Sequence, residues 1–433
     1  MIHKTIQYVR QNRIRIQRLS KEGGWVLFGS VVSVLGSLLL VRVLTEYLPP
    51  ADYGRLTLTL TLGVLVCQIA FTGSMPGIMR FYALAAEKGR LGAYFRGSWQ
   101  MFLYGVGLAL VLGGVLLAGL TIWGRGDMTV LTLLAVIFSI LASLNSTLSS
   151  IQNAARQRQV VALHGGADAW LKIVFAVVLM MWLEATAAHV IVGYTLSMLV
   201  VLTSQAFFMR RLIPEKSPDA AHCADWRQQI WQYSKPFVVF NMFTWAQASS
   251  DRWALEMLAS TSDVGLYATL LQLGWAPISI LTGLATTLIG PILFGRSGDA
   301  QDVARNDSVH RLSWGLTYLA LTLTAIGFVF AWLLHALLFE FLVASKYRGV
   351  SHLLPWMVLA GGLFSASQVL GLKMLSELKT HEMIWPKVVT SLLGVLFSFG
   401  GAYLYGLPGV VGGMVCFSLA NFLWFAKLAQ RIA

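Results

Sequence analysis

The chain of 433 residues is 57% hydrophobic and only 12% charged, with a mean hydropathy of +0.68. Soluble domains carry about 25% charged residues, which excludes a water-soluble enzyme or binding domain. The net charge of +13 invites a nucleic-acid partner, but its placement along the chain points to membrane topology and to no nucleic acid.

Apolar runs of about 20 residues recur from Gly24 onward, each long enough to cross a hydrocarbon core of about 30 Å. Backbone polar groups in lipid must be satisfied within their own segment, so the runs are helices. The expected fold class is an all-α integral membrane protein with about twelve transmembrane helices. Residues 1–23 form a basic amphipathic segment with Lys4, Arg10, Arg13, Arg15, Arg18 and Lys21. Such a segment lies against anionic membrane lipids on the cytoplasmic leaflet and does not read as a cleaved signal. Spans follow at 24–44, 57–79, 98–122, 129–151, 167–183 and 190–209. A polar stretch at 210–235, with Pro214 and Pro218, reads as a cytoplasmic linker. Six more spans follow at 236–259, 265–291, 314–338, 353–375, 388–406 and 408–428. The chain thus divides into an N-terminal lobe of six helices at 24–209 and a C-terminal lobe at 236–433.

Short loops on the cytoplasmic side of a membrane are rich in Lys and Arg. With the N-terminus inside, the cytoplasmic segments hold 25 of the 32 basic residues. The other side holds Arg42, Arg55, Arg125, Arg252, Lys346 and Arg348, and Lys172 lies within a span. Both termini are expected in the cytoplasm. No external loop exceeds roughly 15 residues, which leaves no room for an extracytoplasmic catalytic domain.

The two halves share a pattern. Arg42, Glu46 and Leu48 match Arg252, Glu256 and Leu258 at identical spacing, and Asp52 and Gly54 match Asp263 and Gly265 after one inserted residue. Pro76 with Arg80 has a counterpart in Pro291 with Arg296. Charged residues are too scarce here for this register to be casual. Six spans per half return the chain to the same side, so the repeat is parallel, and transporters built this way bind at the interface between halves.

The same residues carry a family resemblance. VRVLTEYLPPADYGRL (41–56) resembles the R-x-L-x-P-x-x-Y-G signature of the polysaccharide transporter family, which includes the O-antigen flippases. MPGIMRFYA (75–83), SDRWALEMLASTSDVGLYA (250–268) and LVASKYRGV (342–350) resemble that family's other recurring segments. The family belongs to the multidrug/oligosaccharidyl-lipid/polysaccharide exporter superfamily. The resemblance implies two pseudo-symmetric six-helix lobes in a V around a central cavity. It also implies that an undecaprenyl-diphosphate-linked oligosaccharide is flipped across a bacterial inner membrane by alternating access, coupled to an ion gradient. A polysaccharide polymerase and a chain-length regulator are its implied partners.

Moving a diphosphate through lipid requires cations along the route. Ionisable groups inside spans are informative because each costs about 2.5–3.5 kcal/mol to insert. Arg42 and Arg252 head the substrate-binding candidates, since a planar guanidinium fork suits a diphosphate; the alternative pairs each with the Glu four residues on, Glu46 or Glu256. The seventh span is the most polar. Asn241, Ala248, Arg252 and Glu256 share one helical face, with Thr244, Gln247 and Asp251 beside it, and that surface is expected to line a cavity or meet another helix. Arg80 and Lys373, near cytoplasmic span ends, either snorkel to headgroups or receive the diphosphate at the inner entrance. Asp168 and Lys172, four apart in the fifth span, read as an ion pair; an exposed Asp168 or Glu256 would instead exchange a coupling proton.

Nothing points to catalysis, cofactor or metal. There is no GxxxxGK phosphate loop, the eight histidines are scattered, and Cys67, Cys223 and Cys416 have no metal-ligand spacing. Two other functions compete: a multidrug or metabolite exporter of the same superfamily, which would favour acidic and aromatic cavity residues, and a membrane glycan polymerase or ligase, which would need a long external loop.

Overall fold

The computed structural model describes residues 2–213, 223–297, 303–377 and 380–431. Among them every regular element is helical: α1 (Ile2–Tyr47), α2 (Pro50–Phe71), α3 (Met75–Glu87), α4 (Leu91–Ile122), α5 (Thr129–Ala154), α6 (Arg158–Trp182), α7 (Ala187–Arg210), α8 (Cys223–Leu258), α9 (Thr261–Leu270), α10 (Ala276–Ser297), α11 (Val303–Leu342), α12 (Leu354–Ser376) and α13 (Ile384–Arg431). The basic residues of 1–23 fall on the first half of α1, and their side chains lie outside the described residues, as do those of Pro291 and Arg296.

Ten helical stretches among the described residues are long and apolar enough to cross a membrane. One of them, α13, is two crossings. At Gly406 the backbone turns to φ 62°, ψ −136°, a left-handed conformation that costs glycine little. The chain folds back there, and Gly401 and Gly409 meet backbone to backbone. The twelfth crossing is α8, whose 36 residues are long enough but too polar to be counted by composition. Elements α2 and α3 form one crossing interrupted at 72–74, where Pro76 opens α3. Elements α9 and α10 form its counterpart, joined by the π turn Leu271–Trp275.

Helix packing inside lipid relies on small residues that let backbones approach. Gly29 and Gly36 on α1 do this against α6, where an added Cβ would lie 2.8 Å from Ala162 Cβ and 2.9 Å from Ala169 Cβ. The outer surface is apolar: Leu110, Val111, Leu333 and Tyr403 are all exposed, as expected of side chains that meet acyl chains. Trp123 and Trp182, at the ends of α4 and α6, are 82% and 84% exposed, in keeping with interfacial anchors.

The molecule has a basic end, where the terminal segments lie, and a far end, where α1 turns into α2. The largest buried cluster sits toward the far end and joins the lobes, with Leu44, Leu48, Tyr53 and Leu56 of one beside Leu255, Val264, Tyr267 and Tyr347 of the other. A second cluster at the basic end brings Cys223, Trp226 and Ile230 of α8 among Ile78, Tyr82, Tyr94 and Met209 of the N-terminal lobe. This revises the expected linker at 210–235. Helix α8 begins at Cys223, because its first turns have an apolar face that docks on α3 and α4. Residues 214–222, with Pro214 and Pro218, lie outside the described residues.

Candidate functional site

At the far end the lobes are locked together. Helices α2 and α9 cross where Gly54 meets Gly265, so closely that a Cβ on either would strike the opposite backbone. Around this crossing, Arg125 Nη1 donates to Glu256 Oε1 at 2.7 Å and Thr261 Oγ1 donates to Glu256 Oε2 at 2.7 Å. The hydrogen bond with Glu256 pushes the Arg125 guanidinium further above its ordinary pKa. Tyr347 hydroxyl donates to the Leu48 carbonyl at 2.9 Å, Lys346 Nζ to the Glu46 carbonyl at 3.0 Å, and the Ala344 amide to Thr45 Oγ1 at 3.2 Å. Two indoles of α8 reach one threonine of α2: Trp253 Nε1 donates to Thr61 Oγ1 at 3.0 Å and Trp245 Nε1 to its carbonyl at 2.9 Å.

Beneath this seal lies a cavity of about 240 Å³ between the lobes, bounded by Ser37, Tyr53, Thr57, Tyr194, Arg252 and Gln272 among others. Among the described residues Arg252 is its one charged wall residue. The neighbouring carboxylate does not enter. Asp251 is buried at 1% exposure and accepts from the Tyr267 hydroxyl at 2.6 Å and the Arg252 amide at 2.7 Å. The Arg252 side chain stays close to its own helix, with Nη2 donating to the Ala248 carbonyl at 2.8 Å and Nε only 3.4 Å from Asp251 Oδ1.

Two further cavities open in the half nearer the basic end. One of about 430 Å³ in the C-terminal lobe is walled by Ser279, Thr282, Ser365, Gln368 and Lys387. The Lys387 ammonium lies 4.6 Å from the centre of the Phe240 ring, a cation–π contact. The other, about 490 Å³, lies between α1 and α6 with Met79, Asn153 and Ile280, and its charged wall residue is Arg158. Among the described residues, none of these three cavities has an Asp or Glu in its wall.

The remaining sequence candidates scatter. Arg42 pairs with Glu46 at 3.2 Å, both partly exposed, so the helix-end clamp describes this arginine. Glu256 pairs across the lobes with Arg125 and not with Arg252. Asn241 Nδ2 donates to Thr72 Oγ1 at 3.2 Å, joining α8 to the end of α2. Gln247 turns away from the interface and packs on Gly394 of α13. Arg80 is exposed near the basic end. Lys373 neither snorkels nor faces an entrance: it is fully buried, 3.4 Å from Glu377 and donating to the Ala429 carbonyl at 3.0 Å. Asp168 and Lys172 form an ion pair at 2.6 Å. Ser197 donates to Asp168, and Lys172 lies near the Phe138 and Tyr194 rings, so the pair sits inside the N-terminal lobe behind the Tyr194 wall of the central cavity.

The chain thus makes twelve crossings in two lobes, sealed at one end and hollow between. The MATE multidrug transporter DinF-BH is similar over 96% of this chain and 95% of its own, with TM-score 0.64 and 14% identity. The fold is that of the MATE transporters. A MATE structure in complex with MaD5 superposes with TM-score 0.61 at 14% identity, covering 96% of each chain. Outward-facing and inward-facing structures of a multidrug resistance MATE family transporter of the MOP superfamily give TM-scores of 0.59 and 0.54 at 15% and 14% identity, over 95% and 96% of this chain and 96% and 95% of theirs. Those scores average over twelve helices, whereas the closed end is read directly from the Gly54–Gly265 crossing and the Arg125–Glu256 pair. No family profile matches the sequence and no curated protein does, so the polysaccharide transporter resemblance stands on its motifs alone. The MATE fold places Lys387, Arg158, Trp245 and Trp253 in positions that sequence reasoning passed over, the first two having been counted only as loop charges.

Proposed function

We propose that this chain is an alternating-access transporter of an anionic, lipid-linked substrate such as an oligosaccharide on a polyprenyl diphosphate. The observation that carries the reading is the wall chemistry: among the described residues, Arg252, Lys387 and Arg158 are the charged residues of the three cavities, and all are cations. Cations along a route lower the cost of moving a phosphate group through low-dielectric surroundings. With both termini in the cytoplasm of a bacterial inner membrane, as the basic loops imply, the far end is external and the present state is closed to the outside. Anionic lipids, a polysaccharide polymerase and a chain-length regulator remain the proposed partners.

A second reading has its own support. The fold neighbours are named as multidrug transporters, and a small-molecule exporter would use the same rocking of lobes. Reconstitution into liposomes separates the two. Under the first reading a lipid-diphosphate oligosaccharide exchanges between leaflets, Arg252→Ala slows exchange by roughly tenfold or more, and Arg252→Lys keeps part of it because a point charge replaces a bidentate fork. Liposomes that move a cationic dye but leave the lipid-diphosphate in place would overturn the first reading in favour of the second.

A further inference from the structure

The C-terminal lobe has a fourth hollow unlike the others. Between α10 and α11, floored by α12, lies an apolar groove of about 530 Å³. Leu281, Leu319, Leu323 and Phe330 stand on its rim and are more than half exposed. Its wall on α11 runs from Leu316 to Leu338, about 33 Å at the helical rise, which matches the hydrocarbon core of a bilayer. The groove adjoins the Lys387 cavity. Thr282 and Ser365 belong to both walls, and Thr282 Oγ1 donates to Ser365 Oγ at 2.7 Å on the border. A chamber that holds an ammonium and several hydroxyls thus adjoins a membrane-deep apolar slot, with one hydrogen-bonded pair of hydroxyls between them.

We infer that the groove between α10 and α11 holds the hydrocarbon chain of the transported lipid while its phosphate head occupies the Lys387 cavity. This rests on the anionic-lipid reading above and adds the route of the tail. The chemistry is complementary at each end: hydrocarbon against leucine and phenylalanine, phosphate against an ammonium and hydroxyl donors. Because the slot is as deep as the bilayer core, a chain can stay in it while the head changes depth. The tail need never cross the polar interior.

The test uses the purified full chain in detergent, titrated with a long-chain polyprenyl phosphate and with chain-poor dimethylallyl phosphate, bound lipid being counted by native mass spectrometry. Ala320→Trp fills the groove from its wall, and Leu323→Trp, at an exposed rim position, does so with little burden on folding. Either is expected to weaken the long-chain ligand by about tenfold, the worth of two buried methylenes, and to leave dimethylallyl phosphate unchanged. Lys387→Gln is expected to weaken both. If the long-chain ligand binds the groove variants as tightly as it binds the parent, ordinary annular lipid fills the groove and the inference is overturned while the anionic reading stands. If the parent binds neither phosphate, both fall together.

Discussion

Gly54 and Gly265 are equivalent residues of the two halves, and they touch each other: a Cβ built on either would lie 3.1 Å from the backbone nitrogen of the other. Such a reciprocal contact arises where a pseudo-two-fold axis passes between two copies of one segment. The shared Asp-x-Gly pattern therefore marks the line along which the lobes close. The halves start these helices differently, Pro50 occupying the first turn of α2 and Ser260 capping α9 through the Asp263 amide at 3.1 Å, yet the crossing is the same.

Any side chain at this crossing should hold the far end open. Gly54→Val or Gly265→Val sets a branched group against backbone that cannot yield, an overpacking cost of about 1–3 kcal/mol and a shift of roughly tenfold or more in the closed population. Spin labels at Ile122→Cys and Met257→Cys, both well exposed, should report a longer distance between lobes. An unchanged distance distribution would mean that the crossing does not limit closure.

The Arg125–Glu256 pair should contribute little despite its 2.7 Å length. Its glutamate is 5% exposed but its arginine is 46% exposed, so solvent screens the pair from the arginine side, and pairs reached by solvent are worth about 1 kcal/mol. Arg125→Ala, Glu256→Gln and the double variant form a cycle in which the coupling should shrink as salt is raised. A coupling of several kcal/mol, indifferent to salt, would mark the pair as a principal lock.

Lys373 and Glu377 should behave as a buried structural pair. Breaking a buried pair by removing one charge costs about 3–5 kcal/mol, whereas replacing both with apolar residues is close to neutral. Lys373→Met should lower the thermal midpoint strongly and Lys373→Met with Glu377→Leu should recover it. Transport lost in the double variant, with its thermal stability regained, would return Lys373 to the substrate route.

Thr61 accepts both α8 indoles, one at its hydroxyl and one at its carbonyl. Thr61→Val removes the hydroxyl, leaves the Trp253 N–H unpaired and costs about 1–3 kcal/mol. Trp253→Phe removes donor and need together, so Thr61→Val in that background should cost much less. Equal costs in both backgrounds would show that the hydroxyl does not join the lobes.

The span pattern, the basic bias and the repeat were readable because each depends on local composition or fixed spacing. The depth of Arg252 was readable too, and the structure sets it in a cavity wall. Partners were not. Glu256 has a candidate four residues away but takes Arg125, 131 residues distant in sequence, because crossing lobes bring the α4–α5 loop over α8. Lys373 could snorkel or be buried, and the choice is made by the Ala429 carbonyl on another helix. Lys387 stood one residue outside the expected span at 388–406, and only the meeting of α10, α12 and α13 turns it into a cavity wall. Gln247 and Asp251 belong to the polar surface of α8, but which part of that surface meets a helix depends on how α13 packs.

The polarity of α8 bears on how the protein is assembled in the membrane. A helix carrying Gln247, Ser249, Ser250 and Asp251 along one stretch gains little by leaving the translocation channel alone for pure lipid. Its first turns find a seat among Ile78, Tyr82 and Tyr94 of helices made earlier, while the partners of its later turns, Gly394 and Ser398, are made more than a hundred residues later. During synthesis the growing chain must shelter this segment against the completed first lobe until the closing hairpin arrives, so the two halves cannot mature independently even though each repeats the other.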